Sequence, residues 1–236
     1  MTAVSRSTKG LSAEELERLV DALEGEIVLR YATGRRVLDL GHGSPKIAQW
    51  TRQVSESLTI SPRRQWRTDA DGSLRLNLPP EAFDVVLCLR TLPHVGDDAE
   101  TSLVAARSLL LEASRATVPG GHVLVEIDNP RSLRGLALGV RNPITVVRGN
   151  NVIFDDEQHS LTRYDTLTRL TELTPKDLEV ESFFATRVLV PFATTLQIPL
   201  LGRLLARAEW WARSQTLLRH FGAHLLVALR KLPPST

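Results

Sequence analysis

One short stretch near the N-terminus constrains the fold more than any other feature of this chain. The apolar residues 37–40 predict a strand, which runs directly into a Gly-His-Gly turn at 41–43 and then into Ser44-Pro45. Ser44 is a favourable N-cap, and Pro45 suits a first helical position because the N–H that proline lacks is unsatisfied there anyway. A strand, a glycine turn and a helix in succession indicate an α/β domain that presents backbone N–H groups to a ligand.

The spacing of the two glycines distinguishes between known types of nucleotide-binding turn. No Gly-Lys-Ser or Gly-Lys-Thr follows the turn, so a phosphate-binding Walker A loop is excluded. The pattern G-x-G-x-P also differs from the G-x-G-x-x-G of dinucleotide-binding folds, so it matches that fingerprint only weakly.

Strand and helix patterns alternate along the rest of the chain. Four strands separated by helices predict a parallel sheet with right-handed crossovers. Residues 1–10 are expected to be a disordered tail, and residues 11–232 to form a single domain. The predicted strands are 37–40, 58–60, 83–89, 122–127, 178–190 and 223–229, and the predicted helices are 12–33, 45–55, 99–116, 165–172 and 196–218.

Composition excludes several functional classes. A content of 42% hydrophobic and 24% charged residues is that of a globular protein. The single cysteine, Cys88, excludes a disulfide framework and a cysteine-based zinc site, so we expect a reducing, cytoplasmic compartment. No apolar run reaches the ~18 residues of a membrane span, and no secretory leader is visible. An aromatic content of 5% argues against a base-stacking nucleic-acid interface.

The charge is unevenly distributed. Residues 183–236 contain seven Lys and Arg but only one acid, Glu209, a net charge of +6, against −4 for the rest. The predicted helix 196–218 has an apolar stripe and two adjacent tryptophans. We favour a cover over a substrate cleft, while ordinary packing, a homodimer face and a surface on anionic lipid stay open. The stripe and the tryptophans are Leu201, Leu204, Leu205, Ala208, Trp210 and Trp211.

Three segments in order and spacing resemble class I S-adenosylmethionine-dependent methyltransferases. Residues 39–45 resemble the family's [DE]-x-G-x-G-x-G turn, residues 83–95 its F-D-x-V strand and following loop, and residues 110–121 its helix that ends in P-G-G. The resemblance implies a Rossmann-like, doubly wound, mainly parallel seven-stranded sheet with an antiparallel last strand. It also implies methyl transfer from S-adenosylmethionine to a small molecule. A hydroxyl acceptor is favoured, on a secondary metabolite, a sugar or a lipid-linked compound.

The resemblance further implies which residues bind the cofactor. Pro45 stands where the family has a third glycine, and Ser61 where an acid usually holds the ribose; Asp71 is favoured over Asp69 as the replacement. Arg90 is either a ligand of the methionine carboxylate or a surface arginine. These departures leave open a catalytically silent binding protein of the same fold. The implied cofactor-binding residues are Asp39, Gly41, His42, Gly43, Ser61, Asp69, Asp71 and Arg90.

Three residues are candidates for the acid–base step. His94 is the favoured general base because a neutral imidazole accepts a hydroxyl proton near neutral pH. Asp128 ends a predicted strand at the ligand-bearing edge, and His159 is a weaker base candidate. The acidic run beside His159 is interpreted as an exposed loop, and no metal site is predicted. Substrate-side elements are expected at 12–33, 129–164 and 191–220.

Overall fold

The computed structural model describes residues 2–41, 43–132, 152–155, 160–190 and 201–233. The helices in these ranges are α1 (Thr2–Ala32), α2 (Pro45–Val54), α3 (Ala99–Ala116), α4 (Leu167–Leu173) and α5 (Leu201–Ala212). The strands are β1 (Arg36–Asp39), β2 (Ser57–Ile60), β3 (Arg67–Thr68), β4 (Leu74–Arg75), β5 (Phe83–Cys88), β6 (Thr117–Asp128), β7 (Val152–Asp155), β8 (Ser160–Arg163), β9 (Leu178–Thr186) and β10 (His224–Lys231).

The main sheet has the strand order β2-β1-β5-β6-β10-β9. The strand pairs β1–β2, β1–β5 and β5–β6 are parallel, whereas β10 is antiparallel to both β6 and β9. This confirms the predicted Rossmann-like, mainly parallel sheet with an antiparallel last strand. The carboxyl ends of β1, β5 and β6 therefore meet at one edge, which is where open α/β sheets bind ligands.

The main sheet has six strands among the described residues, so the expectation of seven is wrong. Residues 67–75, between β2 and β5 in the chain, fold back on themselves as the small β3–β4 hairpin. Gly72, with φ of +83°, and Asp71, whose carboxylate accepts the Ser73 N–H at 3.0 Å, close the turn after two residue pairs. Pro79 and Pro80 then follow, and proline interrupts a hydrogen-bonded strand.

Helices cover both faces of the sheet and bury its central strands. On one face α1 and α2 pack through Ile27, Val28 and Ile47; on the other, α3 packs through Leu109 and Leu110. The ends of two helices follow the local sequence. The Ser44 hydroxyl accepts the Lys46 N–H at the start of α2, as predicted, and Asp98 with Thr101 forms a capping box at the start of α3.

The N-terminal helix is longer than predicted. It begins at Thr2, so residues 2–10, which the sequence analysis assigns to a tail, belong to α1. Ser12 lies inside the helix rather than at its N-cap. A lone glycine such as Gly10 costs roughly 1 kcal/mol in a helix interior, which does not end a helix. None of the helices within the described ranges is long and apolar enough to cross a bilayer.

Candidate active site at the carboxyl edge of the sheet

The glycine turn after β1 is held by its own strand and by the loop after β5. The Asp39 carboxylate accepts the Gly41 N–H at 2.9 Å. A Cβ placed on Gly41 would lie 2.3 Å from the Leu89 carbonyl oxygen and 2.8 Å from the Thr91 hydroxyl, so only glycine fits there. At Gly43 a Cβ would lie 3.4 Å from the nearest Leu89 atom, which is an ordinary contact. Protein packing thus explains Gly41 but not Gly43.

Ser61 lies beside this turn. Its N–H donates to the Asp39 carbonyl at 2.9 Å, and its own carbonyl accepts the Trp66 indole N–H at 3.0 Å. The side chain is almost fully buried. The structure therefore brings together Asp39, Gly41 and Ser61 as the sequence predicts, whereas His42 lies outside the described residues.

The two aspartates between β3 and β4 have different surroundings. Asp71 caps the hairpin turn through the Ser73 N–H and hydroxyl, and these hydrogen bonds lower the pKa of Asp71. Asp69, which also accepts the Arg75 Nε at 2.7 Å, lines a cavity of about 240 Å³ together with Trp66. Asp69 thus lines a cavity, whereas Asp71 is engaged in the hairpin turn, and the preference for Asp71 as a cofactor residue stays a prediction.

Arg90 is directed towards α1 and is not a surface arginine. It has a φ of +51°, and its Nη2 lies 3.3 Å from both Asp21 Oδ1 and Glu24 Oε2. Its backbone N–H donates to Glu126 Oε2 at 3.1 Å. The charge of Arg90 is thus already balanced by carboxylates of α1, so binding of a cofactor carboxylate by Arg90 stays an untested prediction.

Two of these carboxyl groups have strongly altered acidity. Glu24 and Glu126 are only 1% and 2% exposed. Burial raises the pKa of Glu24 to about 7, against the opposing effect of Arg90. Burial, followed by the nearby charge of Glu24, raises the pKa of Glu126 to about 8. Such groups in a cleft are candidates for acid–base roles.

A histidine that the sequence analysis missed joins the acids. His224 Nδ1 lies 2.6 Å from Asp128 Oδ1 and 3.3 Å from Glu126 Oε1. Its Nε2 lies 3.3 Å from the Arg187 Nη1, which can only donate, so the imidazole accepts at Nε2 and donates at Nδ1. Asp128 lies at the carboxyl edge of the sheet, at the end of β6, where its carboxylate contacts His224.

The sequence contains one signal for this cluster. Glu126 is the single acid within the apolar run 123–127, and an acid in a buried strand needs partners or an altered pKa. His224, by contrast, stands at the start of a strand and has no local pattern that marks it. Its role depends on pairing with β6, almost a hundred residues earlier.

His94 lies in a short 3₁₀ turn, Leu92–His94, beside the β7–β8 hairpin. Its Nδ1 lies 3.0 Å from the Leu161 carbonyl oxygen, an atom that can only accept, so Nδ1 donates and Nε2 of a neutral ring remains an acceptor. The segment after β8 also contacts Asp128, whose carbonyl accepts the Asp165 N–H at 2.9 Å.

His159 lies outside the described residues, as does most of the acidic run before it. Within the described ranges, no group of three or more His, Cys, Asp or Glu side chains is arranged to hold a metal ion. Of the three candidates for the acid–base step, the structure therefore places His94 and Asp128 only.

Helix α5 packs beside the same edge through a different face from the one predicted. Glu209 is fully buried and accepts the N–H groups of residues 188–190 at 2.6, 2.8 and 3.1 Å. Leu205 packs with Leu16 of α1, whereas Leu204 of the predicted stripe is 65% exposed. These contacts agree with a cover next to the cleft. The exposed Trp211 leaves the homodimer and lipid interpretations as predictions.

Comparisons with known proteins agree with this architecture. No protein-family model and no curated protein matches the chain. Among solved structures, a loganic acid methyltransferase with S-adenosylhomocysteine is similar at a TM-score of 0.53 and 11% identity, over 94% of this chain and 95% of that one. A chain from the complex between the Haloferax volcanii Trm112 methyltransferase activator and a candidate methyltransferase is similar at a TM-score of 0.53 and 14% identity, over 95% and 97%. The chain has the class I methyltransferase fold.

Proposed function

We propose that this protein transfers a methyl group from S-adenosylmethionine to the hydroxyl of a small molecule. The observation that carries the proposal is the glycine turn, which Asp39 and the loop after β5 hold at the carboxyl edge of the sheet. The solved relative with bound S-adenosylhomocysteine supports the choice of cofactor, because it has the same fold.

The residues of the edge fit this cofactor. Packing does not require a glycine at Gly43, so its missing side chain leaves space for a ligand next to the turn. Ser61 lies further along the same edge, after β2. Asp69 follows β3 and lines a cavity with Trp66, whose indole N–H donates to the Ser61 carbonyl. The cofactor supplies an electrophilic methyl group. What the chain must provide is alignment of the acceptor oxygen and removal of its proton.

A titration with S-adenosylmethionine and S-adenosylhomocysteine tests cofactor binding. Asp39→Ala should raise the dissociation constant about tenfold or more, because the buried Gly41 N–H loses its acceptor and the turn is no longer held. Asp39→Asn keeps an acceptor oxygen at the same place, so its effect should be smaller. Calorimetry provides the measurement, with circular dichroism to confirm that both variants fold.

Three outcomes would contradict the proposal in different ways. Absence of binding heat at millimolar cofactor would exclude S-adenosylmethionine as the ligand. Binding without transfer of a labelled methyl group to any acceptor would favour the catalytically silent protein. Unchanged affinity in Asp39→Ala would show that the cofactor binds elsewhere.

A further inference from the structure

A second cavity lies between α1 and the carboxyl ends of the central strands. Its volume is about 330 Å³, within the range of small-molecule sites. Apolar side chains of α1 form one wall, and charged side chains from the ends of β5, β6, β9 and β10 form the other. The residues that line it are Leu16, Glu17, Val20, Arg90, Glu126, Arg187 and His224.

Glu126 is the buried carboxyl group of this cavity. Its Oε2 accepts the Arg90 N–H at 3.1 Å, and its Oε1 lies 3.3 Å from His224 Nδ1. Among the described residues, charged and titratable groups face this cluster from each element packed on it. They are Glu17, Asp21 and Glu24 of α1, Lys46 of α2, Arg90 after β5, Asp128 of β6, Arg187 after β9 and His224 of β10.

The charged groups around Glu126 form ion pairs and hydrogen bonds with one another. Arg90 lies 3.3 Å from Asp21 and from Glu24, and Asp128 lies 2.6 Å from His224. The second ring nitrogen of His224 accepts from Arg187. Glu126 is therefore the buried carboxyl group in the lining of the cavity, whereas Glu17, the other carboxyl group in that lining, is exposed.

We propose that the acceptor of the proposed methyl transfer binds in this cavity and that Glu126 takes the proton of its hydroxyl. The inference rests on the proposed function. As the oxygen forms its bond to the methyl carbon, the carbon–sulfur bond breaks and its electron pair stays on sulfur. The O–H bond breaks at the same centre, and the proton passes to a carboxylate oxygen of Glu126.

The acidity of Glu126 suits this role. Its pKa, raised to about 8 by burial and by Glu24, lies close to neutral pH. A general base is most effective when its pKa lies near the working pH. An exposed glutamate with a pKa near 4.5 would be a much weaker base.

The cavity also indicates the class of acceptor. Leu16 and Val20 offer an apolar surface. The opposite wall offers hydrogen-bond donors and acceptors on positively and negatively charged side chains. A compact neutral molecule with an apolar face and several hydroxyl groups matches both walls. A monosaccharide glycoside has this chemistry, so we assign the acceptor to that class.

The test is a pH–rate profile with methyl-labelled S-adenosylmethionine and a panel of methyl glycosides. The kcat/KM of the wild type should rise with pH to a plateau, with a midpoint near pH 8. Glu126→Gln should lower kcat by about 10²- to 10⁴-fold and abolish that dependence, while the cofactor dissociation constant stays within about twofold. Glu126→Asp keeps the carboxyl group and should retain a pH-dependent rate.

Glu179 provides a matched control for the substitution of Glu126. Glu179→Gln removes an exposed glutamate from β9 of the same sheet and should leave the profile unchanged. If Glu126→Gln kept the pH–rate profile of the wild type, Glu126 would not be the base. The same conclusion would follow if His94→Ala lost the pH dependence while Glu126→Gln kept it. Cofactor binding without transfer to any glycoside would overturn the acceptor class but not cofactor binding. Absence of cofactor binding would overturn the proposed function itself.

Discussion

Replacement of Arg163 by leucine should lower the free energy of unfolding by about 3–5 kcal/mol, because the buried carboxylate of Asp165 loses its buried partner and keeps only the more exposed Arg169 as a counter-charge. Arg163 is 1% exposed, and its Nε donates to Asp165 Oδ2 at 2.7 Å. Its Nη1 donates to the Ser102 carbonyl at 2.6 Å and lies 3.2 Å from the Ser102 hydroxyl. The pair joins β8 to α3, so the loss should also loosen the segment that contacts His94 and Asp128.

Arg169 provides the matched control. Its Nε lies 3.4 Å from the other oxygen of Asp165, but its side chain is 38% exposed. Arg169→Gln should therefore cost less than about 1 kcal/mol. Removal of both charges in Arg163→Leu with Asp165→Leu should recover part of the loss. Urea unfolding followed by circular dichroism measures all of these, and a cost below 1 kcal/mol for Arg163→Leu would contradict the argument.

Local patterns predict much of the fold. The strand, glycine turn and Ser44-Pro45 helix start occur where the sequence places them, and so does the helix Ala99–Ala116. These features depend on contacts between residues close together in the chain. Apolar periodicity and capping therefore carry enough information for them.

The errors arise where a local pattern is compatible with more than one structure or where a distant contact decides between them. A polar, turn-rich segment can pair with an edge strand or with itself, and Gly72 and Asp71 favour the local hairpin. Helix α1 extends beyond its expected N-cap because a good capping residue does not prevent helix before it. Helix α5 buries Glu209, which the residues 188–190 require as an acceptor. An amphipathic pattern does not reveal that requirement.

The candidate site divides in the same way. The glycine turn is visible in the sequence because its residues are adjacent. The acid cluster is not, because Glu24, Arg90 and Glu126 come from three elements separated by 36 residues or more. Only the acid within the apolar strand β6 gives a hint of it, through the cost of a charge in a buried strand.

The second large effect is a loss of stability as the pH rises from about 5 to 8. Burial raises the pKa of Glu24 to about 7 and that of Glu126 to about 8, from ordinary values near 4.5. Between those values the folded protein keeps protons that the unfolded chain has released. Stability falls with pH wherever the folded state binds more protons. The loss should reach roughly 6 kcal/mol across the window, since each unit of pKa difference corresponds to about 1.4 kcal/mol and about four and a half units of the two differences fall inside it.

Glu126→Gln should flatten this dependence and make the protein more stable than the wild type at pH 8, because the amide never has to ionise in the interior. Carboxylates with lowered pKa values, such as Asp84 and Asp98, change the pH dependence of stability only at acidic pH. They do not affect the change between pH 5 and 8. Glu24→Gln should flatten it as well and by more than its own share, since the charge of Glu24 contributes to the raised pKa of Glu126. Urea unfolding at pH 5.5, 7 and 8.5 measures the slopes. Equal slopes in wild type and Glu126→Gln would show that the carboxyl group is not held protonated, and the expected midpoint of the pH–rate profile would then lose its physical basis.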